Sequence, residues 1–81
     1  MTITLRFFAR ARDLAGTDRA TLTLPDDSTV AAVRTLLLER YPALASVAGQ
    51  LLVAVNARYA TDDATVPPGS EVAVFPPVSG G

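Results

Sequence analysis

The residues with the most to offer chemically are the last six, Pro76-Pro77-Val78-Ser79-Gly80-Gly81. At an average glycine usage of about 7%, two glycines in two given positions arise by chance roughly once in 200. The prolines make a stiff, extended base, and two residues without Cβ can enter a channel too narrow for any side chain. A tail of that build suits delivery of its own end, the α-carboxylate of Gly81, into a partner's buried site. A carboxylate is anionic at neutral pH and a poor electrophile. To react it must become something like an acyl adenylate, which takes ATP, Mg²⁺ and an activating protein. The five glycines are scattered or terminal and form no phosphate-binding loop, so activation must occur in trans. The competing reading is a frayed end, since chain termini are usually disordered.

The rest of the composition narrows the chemistry further. The 81 residues contain no Cys, no His and no Lys. That removes disulfides, a thiolate nucleophile, the commonest general base and metal ligand, and any side-chain amine for a Schiff base. A self-sufficient enzyme and a resident metal or stably bound cofactor are therefore not expected. Asp26-Asp27 and Asp62-Asp63 are the paired acids, and both stand where turns and helix caps favour Asp. Seven Arg against eight acids leave a net charge of −1, without the basic excess of a nucleic-acid binder. With no charged-then-apolar leader and no run of 18 apolar residues, the expectation is a soluble, cytoplasmic chain without membrane association.

Positioning such a tail falls to one small domain, residues 1–81, with 76–81 as its reactive extension. Forty residues are apolar; fourteen of these are Ala, so 26 side chains remain to fill a core, enough for one sheet against one helix. Period-two alternation in Thr2–Phe8 places Ile3, Leu5 and Phe7 inward and Thr2, Thr4, Arg6 and Phe8 outward. Residues 9–18 predict a helical turn closed by Gly16. Alternation resumes at Arg19–Leu24 and stops at Pro25. Asp26-Asp27-Ser28-Thr29 supplies a hydroxyl cap and acids near the helix start. Val30, Val33, Leu36, Leu37 and Tyr41 then mark one helical face, which Pro42 ends. Leu51–Val55 is apolar throughout, as in a strand covered on both faces. A turn at Asn56-Ala57, a short 58–60 segment, a 61–70 loop and a final strand Glu71–Phe75 follow. Strand, strand, helix, strand, short strand, strand is the order of a β-grasp: an α+β fold with a mixed sheet under one main helix, first and last strands parallel.

In that arrangement Phe8 and Phe75 lie on the outward face near the tail, with Tyr59 able to join them, as exposed aromatics do in protein interfaces. The alternative is that one ring packs under the 43–50 connector. Arg10 and Arg12, in the first loop, could steer an acidic partner or form a solvated face.

Two stretches carry a resemblance to a known family. Phe8-Ala9-Arg10-Ala11-Arg12-Asp13-Leu14-Ala15-Gly16 and Gly69-Ser70-Glu71-Val72-Ala73-Val74-Phe75-Pro76-Pro77-Val78-Ser79-Gly80-Gly81 resemble the signature and closing tail of the sulfur-carrying small subunits of molybdopterin synthase, which are ubiquitin-like. Val55-Asn56 also fits, and the middle of the chain matches in pattern. The resemblance implies that a ubiquitin-activating-like adenylyltransferase adenylates Gly81 with MgATP. Sulfur from a persulfide donor then displaces AMP to leave a thiocarboxylate. It further implies that residues 76–81 enter the large synthase subunit, where sulfur passes to cyclic pyranopterin monophosphate within a heterotetramer. Phe8, Tyr59 and Phe75 match the family's apolar docking surface, with Tyr59 standing where the family is aliphatic. Alternatives are a sulfur carrier for thiamine or cysteine synthesis, a ubiquitin-like modifier of protein lysines, or an interaction module with an inert tail.

Overall fold

Alternation along the first strand decides which face of the sheet becomes core. In the computed structural model, which describes residues 1–76, Ile3, Leu5 and Phe7 of β1 (Thr2–Phe7) are buried while Phe8 just beyond it is exposed. β1 pairs antiparallel with β2 (Arg19–Thr23), Ile3 opposite Leu22 and Leu5 opposite Ala20. The connection is α1 (Ala9–Ala15), closed by Gly16 at φ 76°, whose N–H donates to the Arg12 carbonyl. Glycine takes that left-handed position without the Cβ penalty. The predicted turn is thus a two-turn helix, and Arg10 and Arg12 ride on it rather than on a loop.

The principal helix, α2 (Val30–Arg40), begins as expected at Thr29, whose Oγ1 accepts from the Ala32 N–H. Its other first-turn donors show what the 61–70 loop is for. Val30 N–H donates to the Ala64 carbonyl and Ala31 N–H to the Asp62 carbonyl, while Val66 N–H donates back to Ser28. Donors left orphaned by helix geometry are thereby satisfied by a distant segment, and Val66 is drawn fully into the core. Arg34 Nε bonds Asp62 Oδ1 at 2.7 Å, fastening the same loop to the helix. Asp26 lies 3.3 Å from the Met1 amino group, Asp27 occupies a left-handed turn position at φ 64°, and Asp63 accepts from Thr61 Oγ1. None of the paired acids lies in the first turn of α2; their capping influence is replaced by turn and loop contacts. Among the described residues, no group of three potential metal ligands converges.

Val30, Val33 and Leu37 of α2 join Ile3, Leu5, Phe7, Val53, Val72 and Val74 in one core. Burial of each such side chain contributes about 1.5–3 kcal/mol. Leu36 and Tyr41, predicted on the same face, are half-buried at its margin, and Tyr41 meets Phe7 edge-on at 5.2 Å. The 43–50 connector is a 3₁₀ segment, Pro42–Gln50, that closes the core with Leu44.

β3 (Leu52–Val55), β4 (Arg58–Tyr59) and β5 (Glu71–Phe75) complete a five-stranded sheet among the described residues, in the order β2-β1-β5-β3-β4. β5 lies parallel to β1 and antiparallel to β3, which is the β-grasp topology. Leu52 corrects one expectation: it faces outward and is exposed, so β3 is not covered on both faces along its whole length. At the opposite edge of the sheet, Arg40 Nη1 reaches from the end of α2 to the Thr21 carbonyl at 3.1 Å. No helix among the described residues is long and apolar enough to cross a membrane.

The β3–β4 hairpin turns through Asn56 (φ 49°) and Ala57 (φ 71°). Two successive positive φ values define a tight type I′ turn, whose second position strongly favours glycine. A left-handed conformation costs an ordinary L-residue about 1–2 kcal/mol. Ala57→Gly should therefore raise unfolding stability by about 0.5–1 kcal/mol, read as a higher denaturant midpoint at unchanged slope; a lower midpoint would refute the turn assignment.

Candidate functional site

Sheet parity and register assemble a cluster that no single segment could make. Val72 and Val74 of β5 are fully buried, which turns Glu71, Ala73 and Phe75 to the opposite face. The parallel pairing sets Phe7 beside Val74, and the Phe8 N–H donates to the Val74 carbonyl at 3.2 Å. Phe8 consequently comes to rest on Phe75. The rings stack with centroids 4.9 Å apart and planes 9° from parallel, an arrangement worth about 0.5–1.5 kcal/mol beyond its buried area. Neither ring packs under the 3₁₀ segment.

Tyr59 approaches Phe75 from β4 at 6.2 Å and remains 72% exposed. A large aromatic side chain so open to water is a feature of protein contact surfaces. Together these rings border an open groove of about 330 Å³, lined by Phe8, Ala54, Ala57, Tyr59, Glu71, Ala73 and Phe75. Pro76, the last described residue, follows Phe75 directly, so the root of the tail lies at the aromatic border of the groove. Pro77, Val78, Ser79, Gly80 and Gly81 lie outside the described residues.

Asn56 braces the far side. Its Oδ1 accepts from the Glu71 N–H at 3.0 Å, its own N–H donates to the Glu71 carbonyl, and its Nδ2 donates to Ser70 Oγ at 3.1 Å. Ser70 is itself buried and donates to the Pro67 carbonyl. This network ties the β3–β4 turn, and with it Tyr59, to the start of β5.

Of the positions expected to contact a partner, Phe8, Tyr59 and Phe75 converge. Arg10 and Arg12 do not line the groove; both are exposed on α1, with Arg12 4.0 Å from Asp13. The charged pair beside the groove is a different one. Arg6 Nη1 lies 3.7 Å from Glu71 Oε1, and its guanidinium sits 5.5 Å from the Phe8 ring centroid, a cation–π contact worth about 0.5–1 kcal/mol where solvent reaches it. Outward parity had placed Arg6 on the Phe8 face, but its pairing with Glu71 required the β1–β5 register. Leu52 and Ala54 were hidden in a strand that reads as apolar throughout; alternation against the buried Val53 is the signal that separates them, as alternation with Val72 and Val74 places Ala73.

The model of the ThiS family matches residues 5–81. The molybdopterin synthase sulfur carrier subunit of Escherichia coli K12 is 44% identical over 81 residues, covering 98% of this chain and 99% of that protein. The crystal structure of SAMP1 from Haloferax volcanii superposes with a TM-score of 0.88 at 28% identity, over 100% of both chains. A Helicobacter pylori complex of subunits 1 and 2 of molybdopterin-converting factor contains a chain similar in fold, with a TM-score of 0.73 at 21% identity over 100% of both chains. With the family pattern running through nearly the whole sequence onto a β-grasp sheet, this chain belongs to the ThiS family.

Proposed function

We propose that this chain is the sulfur carrier of a molybdopterin synthase, acting in molybdenum cofactor biosynthesis as a reactant that is loaded and discharged rather than as a catalyst alone. The observation that carries the reading is the placement of the tail's root at Pro76 beside the Phe8–Phe75 stack. It agrees with the near full-length identity to the E. coli carrier subunit. A surface that grips a partner where the tail departs can hold that partner while Gly81 reaches into it.

The chemistry follows from the carboxylate. In an activating adenylyltransferase the Gly81 carboxylate attacks the α-phosphorus of MgATP, expelling pyrophosphate and giving an acyl adenylate. A persulfide sulfur then attacks the acyl carbon and AMP leaves. Thiolate cleavage of the resulting sulfur–sulfur bond gives the thiocarboxylate and a disulfide. In the large subunit the thiocarboxylate sulfur takes the place of an oxygen substituent on cyclic pyranopterin monophosphate, and water cleaves the resulting thioester, leaving the sulfur on the substrate and returning Gly81 as a carboxylate. With no His, Cys or Lys in this chain, the proton transfers of that sequence are assigned to the partners, in the cytoplasm. The Helicobacter pylori two-subunit complex supports assembly with a large subunit.

A second reading, attachment to protein lysines, is favoured by the likeness to small archaeal modifier protein 1. Isopeptide-linked adducts that survive denaturing gels and vanish when Gly81 is deleted would establish it.

Deletion of Gly81 should abolish thiocarboxylate formation, read by intact mass as one oxygen replaced by sulfur, while leaving the thermal midpoint unchanged. Mass gain in the deletion variant refutes the mechanism. Phe75→Ala should weaken large-subunit binding by about tenfold to a hundredfold in calorimetric titration, the scale of a lost aromatic anchor; unchanged affinity would remove the aromatic stack from the docking surface.

A further inference from the structure

Between the aromatic border and the Asn56 brace, the outward face of the sheet has a floor of alanine. The register reads straight across four strands: Arg6 beside Ala73, Ala73 beside Ala54, Ala54 beside Tyr59. On the tail side, this row is bounded by Phe8, Phe75 and Leu52, which pairs with Phe75. On the other side lie Glu71 and Ala57. Ala54 is only 6% exposed although it faces away from α2, which shows how deep the hollow is relative to its walls.

Three features define what fits. The floor and most of the walls are methyl groups and aromatic rings. The charges nearest the hollow, Arg6 and Glu71, face each other at 3.7 Å and so leave little net charge to attract an ion. At about 330 Å³ the volume lies at the lower end of ligand pockets, roughly 300–1,000 Å³, and admits a side chain rather than a helix.

Its position identifies the owner of that side chain. Residues 77–81 can reach at most about 18 Å at about 3.6 Å per residue. Any protein that works on Gly81 must therefore stand close to Pro76, against this end of the sheet. We infer that the alanine-floored hollow is a socket for one large, uncharged apolar side chain of the protein that receives the tail. This rests on the docking role proposed above. Within that role the rings form the rim, and the emptiness over Ala54 and Ala73 confers the selectivity. Desolvated central pockets of this kind hold the few residues that dominate interface energies.

The test is to fill the socket. Full-length chains carrying Ala73→Leu, Ala54→Leu or, as a control away from the groove on α2, Glu39→Gln are titrated calorimetrically into purified large subunit, with thermal unfolding followed in parallel. Expected are losses of about thirtyfold or more for either leucine variant, near-native affinity for Glu39→Gln, and unchanged midpoints. Ala54→Val serves if leucine disturbs the fold. One alanine substitution among the large subunit's exposed Leu, Ile, Met, Phe and Tyr residues should restore binding to Ala73→Leu. Native affinity in the leucine variants overturns the socket while leaving the docking role intact. A loss for Glu71→Gln equal to that for Ala73→Leu overturns the neutral occupant. Failure of the unmodified chain to bind the large subunit overturns the docking role and the socket with it.

Discussion

The parallel pairing of β1 with β5 is the constraint on which the rest of the molecule depends. It joins segments from opposite ends of the sequence, Thr4 beside Glu71 through Phe7 beside Val74. Both strands alternate, so one register decides both faces together. Inward, it stacks Leu5 and Phe7 against Val72 and Val74 under α2. Outward, it sets Arg6 by Glu71 and Phe8 on Phe75. A slip of one residue would turn one strand over against the other, placing either Arg6 or Glu71 in the core. Core packing and the geometry at the tail's root thus have a single cause.

Parallel neighbours cannot be joined by a tight turn, and here everything from α1 to the 61–70 loop lies between them. Each intervening piece closes part of the structure. β2 extends the sheet on one side, α2 and the 3₁₀ segment cover the core, and β3 flanks β5 on its other side. The loop then supplies carbonyls to the first turn of α2. Val66 enters the core from a segment whose Asp, Pro and Gly content marks it as irregular. The helix that shields the sheet is therefore fixed at its start by the segment leading into β5.

Much of this could be read from the chain because its signals are local. Alternation in β1 and β5, the Thr29 cap and the Pro42 stop each act within a few residues, and each element forms where they indicate. Phe8 and Phe75 follow from parity once strand order is known. Tyr59 needed the hairpin turn to bring it within reach. Arg10 and Arg12 attracted notice as exposed cations near Phe8, but one helical residue after another points in a new direction, and neither lines the groove. Val66, Arg34–Asp62 and Arg6–Glu71 were invisible for a common reason: each depends on contacts between segments remote in sequence. The alanines of the groove floor escaped because a small side chain gives no periodic signal of its own; their importance lies in what their neighbours leave unfilled.

The bond from Arg40 to Thr21 bears on how the outer strand of the sheet meets other copies of the chain. Met1 and Leu24 exchange hydrogen bonds, and the Phe7 N–H bonds Asp18, so by antiparallel parity the Thr21 carbonyl faces away from β1. A bare outer strand is a template for another chain's backbone. The guanidinium occupies an acceptor in the middle of that strand and sets a positive charge beside it. Edge-to-edge stacking of copies is thereby obstructed on the flank farthest from the aromatic groove, so crowding of the molecule with itself is checked at a place where its encounters with other proteins are not.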